Sequence, residues 1–282
     1  MIYRADYSSF SAPEDSFDSV SGTVGDWELI AGDGPVIATA IHDGHHIRDS
    51  LLPFLAIGDA DRRREEDPLT AMLLSAGDTK LRMLSSRFEF DVNRAREHAI
   101  SDDPADTWDL RIWNTLPAPE VGRSLSRYDE FYRMIESVLR AHLDQWGCAL
   151  LLDIHSYNHR REGPAAAPAA QQSNPDIDLG VTTLDMTRWG DSVRRFEAVL
   201  SGTAVGGRLP DVRRNVRYAG GGHFPEWVYA RFGTDVCTIS LEYKKIFMDE
   251  WSGTADIAAI EDLRAGLERA VSAVRGDFVA CR

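Results

Sequence analysis

The run VIATAI at 36–41 stops at His42, CALLLDI at 148–154 carries Asp153 and leads into His155, and VCTISLE at 236–242 ends on Glu242. Imidazoles and carboxylates are the protein ligands of hydrolytic zinc, which takes about three of them and keeps a further position for water. His42 and His155 offer two imidazoles. The segment RREEDP at 63–68 offers Glu65, Glu66 and Asp67 as the carboxylate; the same three acids also suit the start of a helix, where they complement its dipole. Asp153 stands two residues before His155, so both side chains point to one face of a strand. Such a carboxylate orients or tunes a ligating imidazole. Glu242 suits a general base that takes a proton from activated water.

In FDVNRAR at 90–96, Asn93 and Arg94 follow a stretch of alternating polarity. Together they grip a carboxylate, the guanidinium bidentately and the amide by one hydrogen bond; alternatively they form an exposed loop with a surface ion pair.

These residues need strands and helices to bring them together. VIATAI is β-prone and is followed by the turn signal Asp43-Gly44. PLTAMLLSA at 68–76 begins with a proline suited to a first helical turn and stops at Gly77, which predicts a helix. RFEFDV at 87–92 alternates with the period of a strand. The stretch 126–146 repeats Phe131, Ile135, Val138, Leu139 and Leu143 at three- and four-residue steps before Gly147, an amphipathic helix with its stop. CALLLDI, apolar throughout, reads as a strand covered on both faces. Further helices are expected at 186–200 and 255–275, a glycine-rich turn at 218–223 and a loop at 162–174. Helix, glycine and buried strand in succession is the order of a layered α/β fold, in which functional residues gather at the carboxyl ends of strands.

A chain of 282 residues with 43% hydrophobic residues suits one large α/β domain, with residues 1–25 as an N-terminal extension and 162–174 as a mobile loop. The net charge of −14 argues against sequence-independent binding to nucleic acid or to an anionic membrane surface. Three scattered cysteines make no disulfide framework, and Cys148 and Cys237 read as small buried hydrophobes. An odd count fits a reducing compartment, and no leader or spanning segment is visible, which predicts a cytoplasmic protein.

Taken in order, His-x-Gly at 42–44, Glu-x-Asp at 65–67, Arg-x-x-x-Asp-x-Asn-Arg at 87–94, Asp-x-His-Ser at 153–156, Asn-x-x-Tyr-x-Gly-Gly at 215–221 and Glu242 with Phe-Met-Asp-Glu at 247–250 resemble the N-formylglutamate amidohydrolase family. The resemblance implies a three-layer mixed β-sheet flanked by helices, similar to the zinc carboxypeptidases (the phosphorylase/hydrolase-like fold). It implies a zinc hydrolase that cleaves a C–N amide bond beside a carboxylate. Where a carboxypeptidase would carry a ligating glutamate, this chain has His45. The spacing is instead similar to zinc-dependent cell-wall amidases, whose distal Glu-x-Asp implies Glu65 as the third ligand, with Glu66, Asp67 or His45 as alternatives. Ile-His-Asp-Gly replaces the usual Pro-His-Ser-Gly, and Lys244 and Lys245 stand where the family has an arginine.

The expectation is therefore Zn²⁺ on His42, Glu65 and His155, Glu242 as general base with Asp153 beside the site, and Asn93, Arg94 and Arg87 on the carboxylate of a small anionic N-acyl amino acid. His223 is expected either to stabilise the oxyanion or to be a plain loop histidine, and homo-oligomers are allowed. The rivals are another zinc amidase or carboxypeptidase-like peptidase, and a non-catalytic metal-binding homologue.

Overall fold

The computed structural model describes residues 22–101, 103–218 and 222–281. Residues 1–21, most of the expected extension, and 219–221 of the glycine-rich turn lie outside the described residues. In chain order the elements are β1 (Gly22–Val24), β2 (Trp27–Ile30), β3 (Val36–Ala40), α1 (Asp59–Glu65), β4 (Thr79–Met83), α2 (Ala118–Trp146), β5 (Ala149–Tyr157), β6 (Ile177–Gly180), α3 (Met186–Ser201), β7 (Val212–Arg214), α4 (His223–Phe232), β8 (Val236–Lys244) and α5 (Ile257–Val279).

Among the described residues the strands form one eight-stranded sheet ordered β1-β2-β4-β3-β5-β8-β6-β7. Its centre, β4-β3-β5-β8, is parallel, whereas β1, β2 and β6 pair antiparallel with their inner neighbours. Alternation along the strands divides the core in two. Ala38, Leu152 and Leu241 pack under Val193 and Phe196 of α3 and Leu263 and Leu267 of α5. Ile37 and Leu151 pack on the other face under Phe131 and Ile135 of α2 and Phe224 and Val228 of α4. Burying each large apolar side chain stabilises by roughly 1.5–3 kcal/mol, so these faces fix which side of each strand meets which helix. The expected α/β three-layer arrangement is the one observed.

Helix α2 ends as expected at Gly147, whose φ of 77° is left-handed and whose N–H donates to the Leu143 carbonyl. Asp185 and Asp256 cap α3 and α5 by accepting from backbone N–H groups of their first turns. His142 is buried on α2 with its ring nitrogen on the Val138 carbonyl, a structural residue.

Three expectations are corrected. PLTAMLLSA forms a 3-10 helix over Thr70–Ala76 rather than an α-helix. RFEFDV is a series of turns; its alternation arises because Phe88 and Phe90 enter separate apolar clusters while Glu89 and Asp91, each following one of them, are buried in ion pairs. Cys148 and Cys281 are joined in a disulfide across 133 residues, because α5 returns its end to the start of β5; Cys237 alone is the buried free thiol among the described residues. No helix among the described residues is long and apolar enough to cross a membrane. The 162–174 loop is irregular apart from a 3-10 turn at Gln171–Ser173, and Arg213 donates to the carbonyls of Gln171 and Gln172.

Candidate metal centre

Asp153, His155 and Glu242 all project from the α2/α4 face, opposite the side taken by Leu152, Ile154 and Leu241. On β3, Thr39 pairs with Asp153 in register and donates to its Oδ1 over 3.1 Å, which seats Asp153 against the neighbouring strand. His42 lies just past the end of β3, in a turn where Gly44 is required. A Cβ on Gly44 would lie 2.4 Å from the Ser85 carbonyl oxygen, so only glycine lets the turn lie against the segment after β4.

The two imidazoles are aligned alike. His42 Nε2 lies 2.8 Å from Asp91 Oδ1, and His155 Nε2 lies 2.9 Å from Asp153 Oδ2. A carboxylate on Nε2 fixes the proton there and leaves Nδ1 as a lone-pair donor. These Nδ1 atoms face each other at 3.1 Å, and Asp67 Oδ2 lies 3.2 Å from that of His155 and 3.4 Å from that of His42. Three electron-pair donors converge here with at most 3% of each residue exposed. Such a triangle could hold a metal cation. Tetrahedral zinc with bonds of about 2.0–2.1 Å holds its ligands roughly 3.3 Å apart, and the three separations fit an ion of that size.

Electrostatics point the same way. Burial opposes ionisation of Asp67, but hydrogen bonds with His155 and His42 hold its carboxyl well below the usual range. Burial likewise disfavours a charged His155, yet Asp153 and Asp67 raise its pKa well above the ordinary value. The cluster therefore favours positive charge at its centre.

The carboxylate brought to the imidazoles is thus Asp67, an alternative at the sequence level, and not Glu65. Helix α1 runs through Glu65 and the chain turns out of it at Glu66, after which the Asp67 N–H bonds the His42 carbonyl over 2.9 Å. Ser156 Oγ donates to the other Asp67 oxygen. Glu65 pairs with Arg161 at 3.0 Å instead. Glu66 is fully buried and accepts from Arg62, Ser86 and His45, so His45 is held away from the His42–Asp67–His155 triangle. His46 and His98 are exposed.

Glu242 pairs in register with His155 on β5 and with Asp178 on β6, three side chains in a row across the sheet. Its carboxylate carries no hydrogen bond among the described residues. Burial pushes its pKa up to about 8, with Asp67 and Asp153 adding repulsion against the pull of His155. Asp178 accepts the N–H groups of Val216, Arg217 and Tyr218, while the Asn215 side chain accepts from Val181 N–H at 2.9 Å. The Asn-x-x-Tyr element thereby brings Tyr218 to the site. Burial, then repulsion from Glu242, pushes the Tyr218 hydroxyl up to about 12.

These groups border a cavity of about 130 Å³ that also includes Arg87, Asn93, Trp108, Arg161 and Lys245. Arg87 grips Asp91 through Nε and Nη2 at 3.0 and 2.7 Å. Asn93 accepts the Phe224 N–H at the start of α4. Arg94 borders the adjacent, smaller cavity and donates to the Asp106 carbonyl, so the structure separates the expected Asn93-Arg94 pair. His223 packs its ring against Tyr132 and is not among the cavity's lining residues. Neither lysine after Glu242 offers a loose ammonium: Lys244 pairs with buried Asp176 at 3.1 Å, and Lys245 donates to the Arg64 and Glu66 carbonyls and to Asn158.

Sequence reasoning missed Asp91, Trp108, Arg161 and Tyr218 as site residues. Asp91 had a signal, since a buried carboxylate four residues from Arg87 lies inside the quoted motif. Arg161 had none nearby. Its loop is fixed from afar by Glu250, which accepts the His159 and Arg160 N–H groups at 2.8 Å.

A family profile described as N-formylglutamate amidohydrolase matches residues 34–248. Curated protein sequences give no match. Among solved structures the fold is similar to N-formylglutamate amidohydrolase from Ralstonia eutropha JMP134, at 18% identity and a TM-score of 0.71, covering 90% of this chain and 100% of that one. It is also similar to a gene product of Agrobacterium tumefaciens, at 18% identity and a TM-score of 0.59, covering 88% and 95%.

Proposed function

The chain belongs to the N-formylglutamate amidohydrolase family, a family of hydrolases, and from that premise we propose that it is a zinc-dependent hydrolase of an N-formyl- or N-acyl-amino acid such as N-formylglutamate. The observation that carries the reading is the His42–Asp67–His155 triangle beside Glu242, whose carboxylate carries no hydrogen bond among the described residues, in one cavity. A cavity of about 130 Å³ suits an amino-acid derivative rather than a long peptide. A divalent ion bound there supplies Lewis acidity, polarising the amide carbonyl and making water nucleophilic near neutral pH.

The protein's own groups do the rest. Glu242 accepts a proton from the attacking water as the new C–O bond forms, then delivers it to the departing nitrogen as the C–N bond breaks. The products are a carboxylate and a free amino acid. Arg87, held by Asp91 beside His42, places positive charge near the carbonyl oxygen, while Asn93 fixes the substrate's polar edge. Asp91 and Asp153 keep both imidazoles in the ligating tautomer.

The test is hydrolysis of N-formyl-L-glutamate and of N-acyl homologues by protein of measured zinc content. Glu242→Gln should lower kcat by about 10²- to 10⁴-fold with zinc still bound. Unchanged turnover, or an activity indifferent to chelation and zinc return, would remove the proposal. Activity confined to longer acyl groups would reassign the substrate and keep the chemistry.

A further inference from the structure

Three cationic side chains line the cavity, and they differ in the donors each has left. An ammonium has three N–H bonds; Lys245 spends its own on Arg64 O, Glu66 O and Asn158 Oδ1 at 2.7, 2.9 and 2.9 Å. Arg87 gives its side-on edge, Nε with Nη2, to Asp91. Arg161 is bound differently. Glu65 takes it end-on, Nη1 to Oε1 at 3.3 Å and Nη2 to Oε2 at 3.0 Å. That leaves the Nε edge, the fork that matches a carboxylate.

Position agrees with donor count. The Arg161 side chain is 33% exposed against 13% for Arg87, so it stands nearer the cavity mouth, while Asp91 ties Arg87 to His42 at the reacting end. Trp108 carries both guanidinium groups on its ring, at 5.0 Å for Arg87 and 5.7 Å for Arg161, so both face one substrate space. Glu65, only 3% exposed on its side chain, is anchored on α1 two residues before Asp67.

On these grounds we propose that Arg161 receives the side-chain carboxylate of an acidic N-acyl amino acid, and that Glu65 is its positioning residue rather than a metal ligand. The inference rests on the hydrolase reading and names the substrate class of that same site.

Two measurements on the zinc-loaded protein test it. The first compares N-formyl-L-glutamate with N-formyl-L-glutamine, which differ only in that carboxylate. Arg161→Gln should collapse the kcat/KM preference for the acidic substrate by about 10- to 100-fold, chiefly through KM, and Arg161→Lys should restore part of it because a charge without the fork remains. Equal losses on both substrates, or no loss on either, would overturn the assignment. The second is calorimetric binding of glutarate against butyrate, which needs no turnover. Arg161→Gln should weaken glutarate by a similar factor; an unchanged glutarate affinity sinks the inference even in a protein that hydrolyses nothing. If wild-type protein binds glutarate through Arg161 yet cleaves neither substrate, the hydrolase reading fails and this one stands. Glu65→Gln should keep full zinc content and raise KM with kcat largely retained. Loss of zinc from that variant would return Glu65 to the ligand set and end the proposal.

Discussion

One carboxylate serves two residues of the site: Asp91 Oδ1 lies 2.8 Å from His42 Nε2, while Asp91 Oδ2 accepts from Arg87. Arg87 and His42 are the leading attractions that, against burial, hold the Asp91 carboxyl well below its ordinary range. The tautomer of the His42 imidazole and the direction of a cavity arginine are thereby set by a single side chain.

Asp91→Asn keeps the size and loses the charge. It should weaken zinc binding by about 10- to 100-fold, as loss of a carboxylate behind a ligating histidine does. Competition with a coloured zinc chelator measures this directly. Unchanged affinity would mean that His42 does not need its partner.

Asp176 gives a test of pH-dependent stability away from the His42–Asp67–His155 triangle. It is buried, accepts from Arg208 Nη1 at 2.6 Å and the Asp211 N–H at 3.0 Å, and pairs with Lys244. Burial opposes its ionisation, but those three partners depress its folded pKa below the ordinary carboxylate range. A depressed carboxylate stabilises the fold above its unfolded pKa, and the contribution fades as pH falls from about 3.9 towards the lower folded value. Asp176→Asn should therefore cost roughly 3 kcal/mol at pH 7, the scale for breaking a buried pair. The gap between variant and wild type should narrow below about pH 4. Urea melts at both pH values decide it; a gap independent of pH would show that the charge is not what counts.

The Cys148–Cys281 bond ties the end of α5 to the base of β5, at the opposite strand end from His155. Cys148→Ser, or a reductant, should lower stability by about 2–4 kcal/mol through the freer unfolded chain. Zinc content and turnover should stay as they were, since no site residue moves. Equal melting temperatures with and without reductant would deny the bond a stabilising role in solution.

Much of this molecule is legible along the chain wherever one rule governs a whole element. β3, β5 and β8 are apolar because both faces are covered, and α2 repeats its core residues until Gly147 stops it. RFEFDV deceived because Glu89 and Asp91 are as buried as its apolar residues, so the alternation separated ion pairs from core rather than solvent from core. In RREEDP, three consecutive acids look equivalent. What separates them is where α1 ends and that Asp67 N–H reaches back to the His42 carbonyl, facts set by packing. Arg161 and Cys281 stayed hidden for a related reason: each is defined by a distant partner, Glu65 at 96 residues in one case and Cys148 at 133 in the other.

β8 is the last strand in the sequence, yet it lies inside the sheet between β5 and β6. During synthesis β5 and β6 emerge with no direct pairing to hold them together, and the sheet stays split until residues 236–244 arrive. That closing strand also carries Glu242. The ribosome therefore releases the half-sheet with His42, Asp67 and His155 before the base that would act beside them, and such long-range parallel pairing is a slow event. Any chemistry at this site therefore awaits the pairing of β8 with β5.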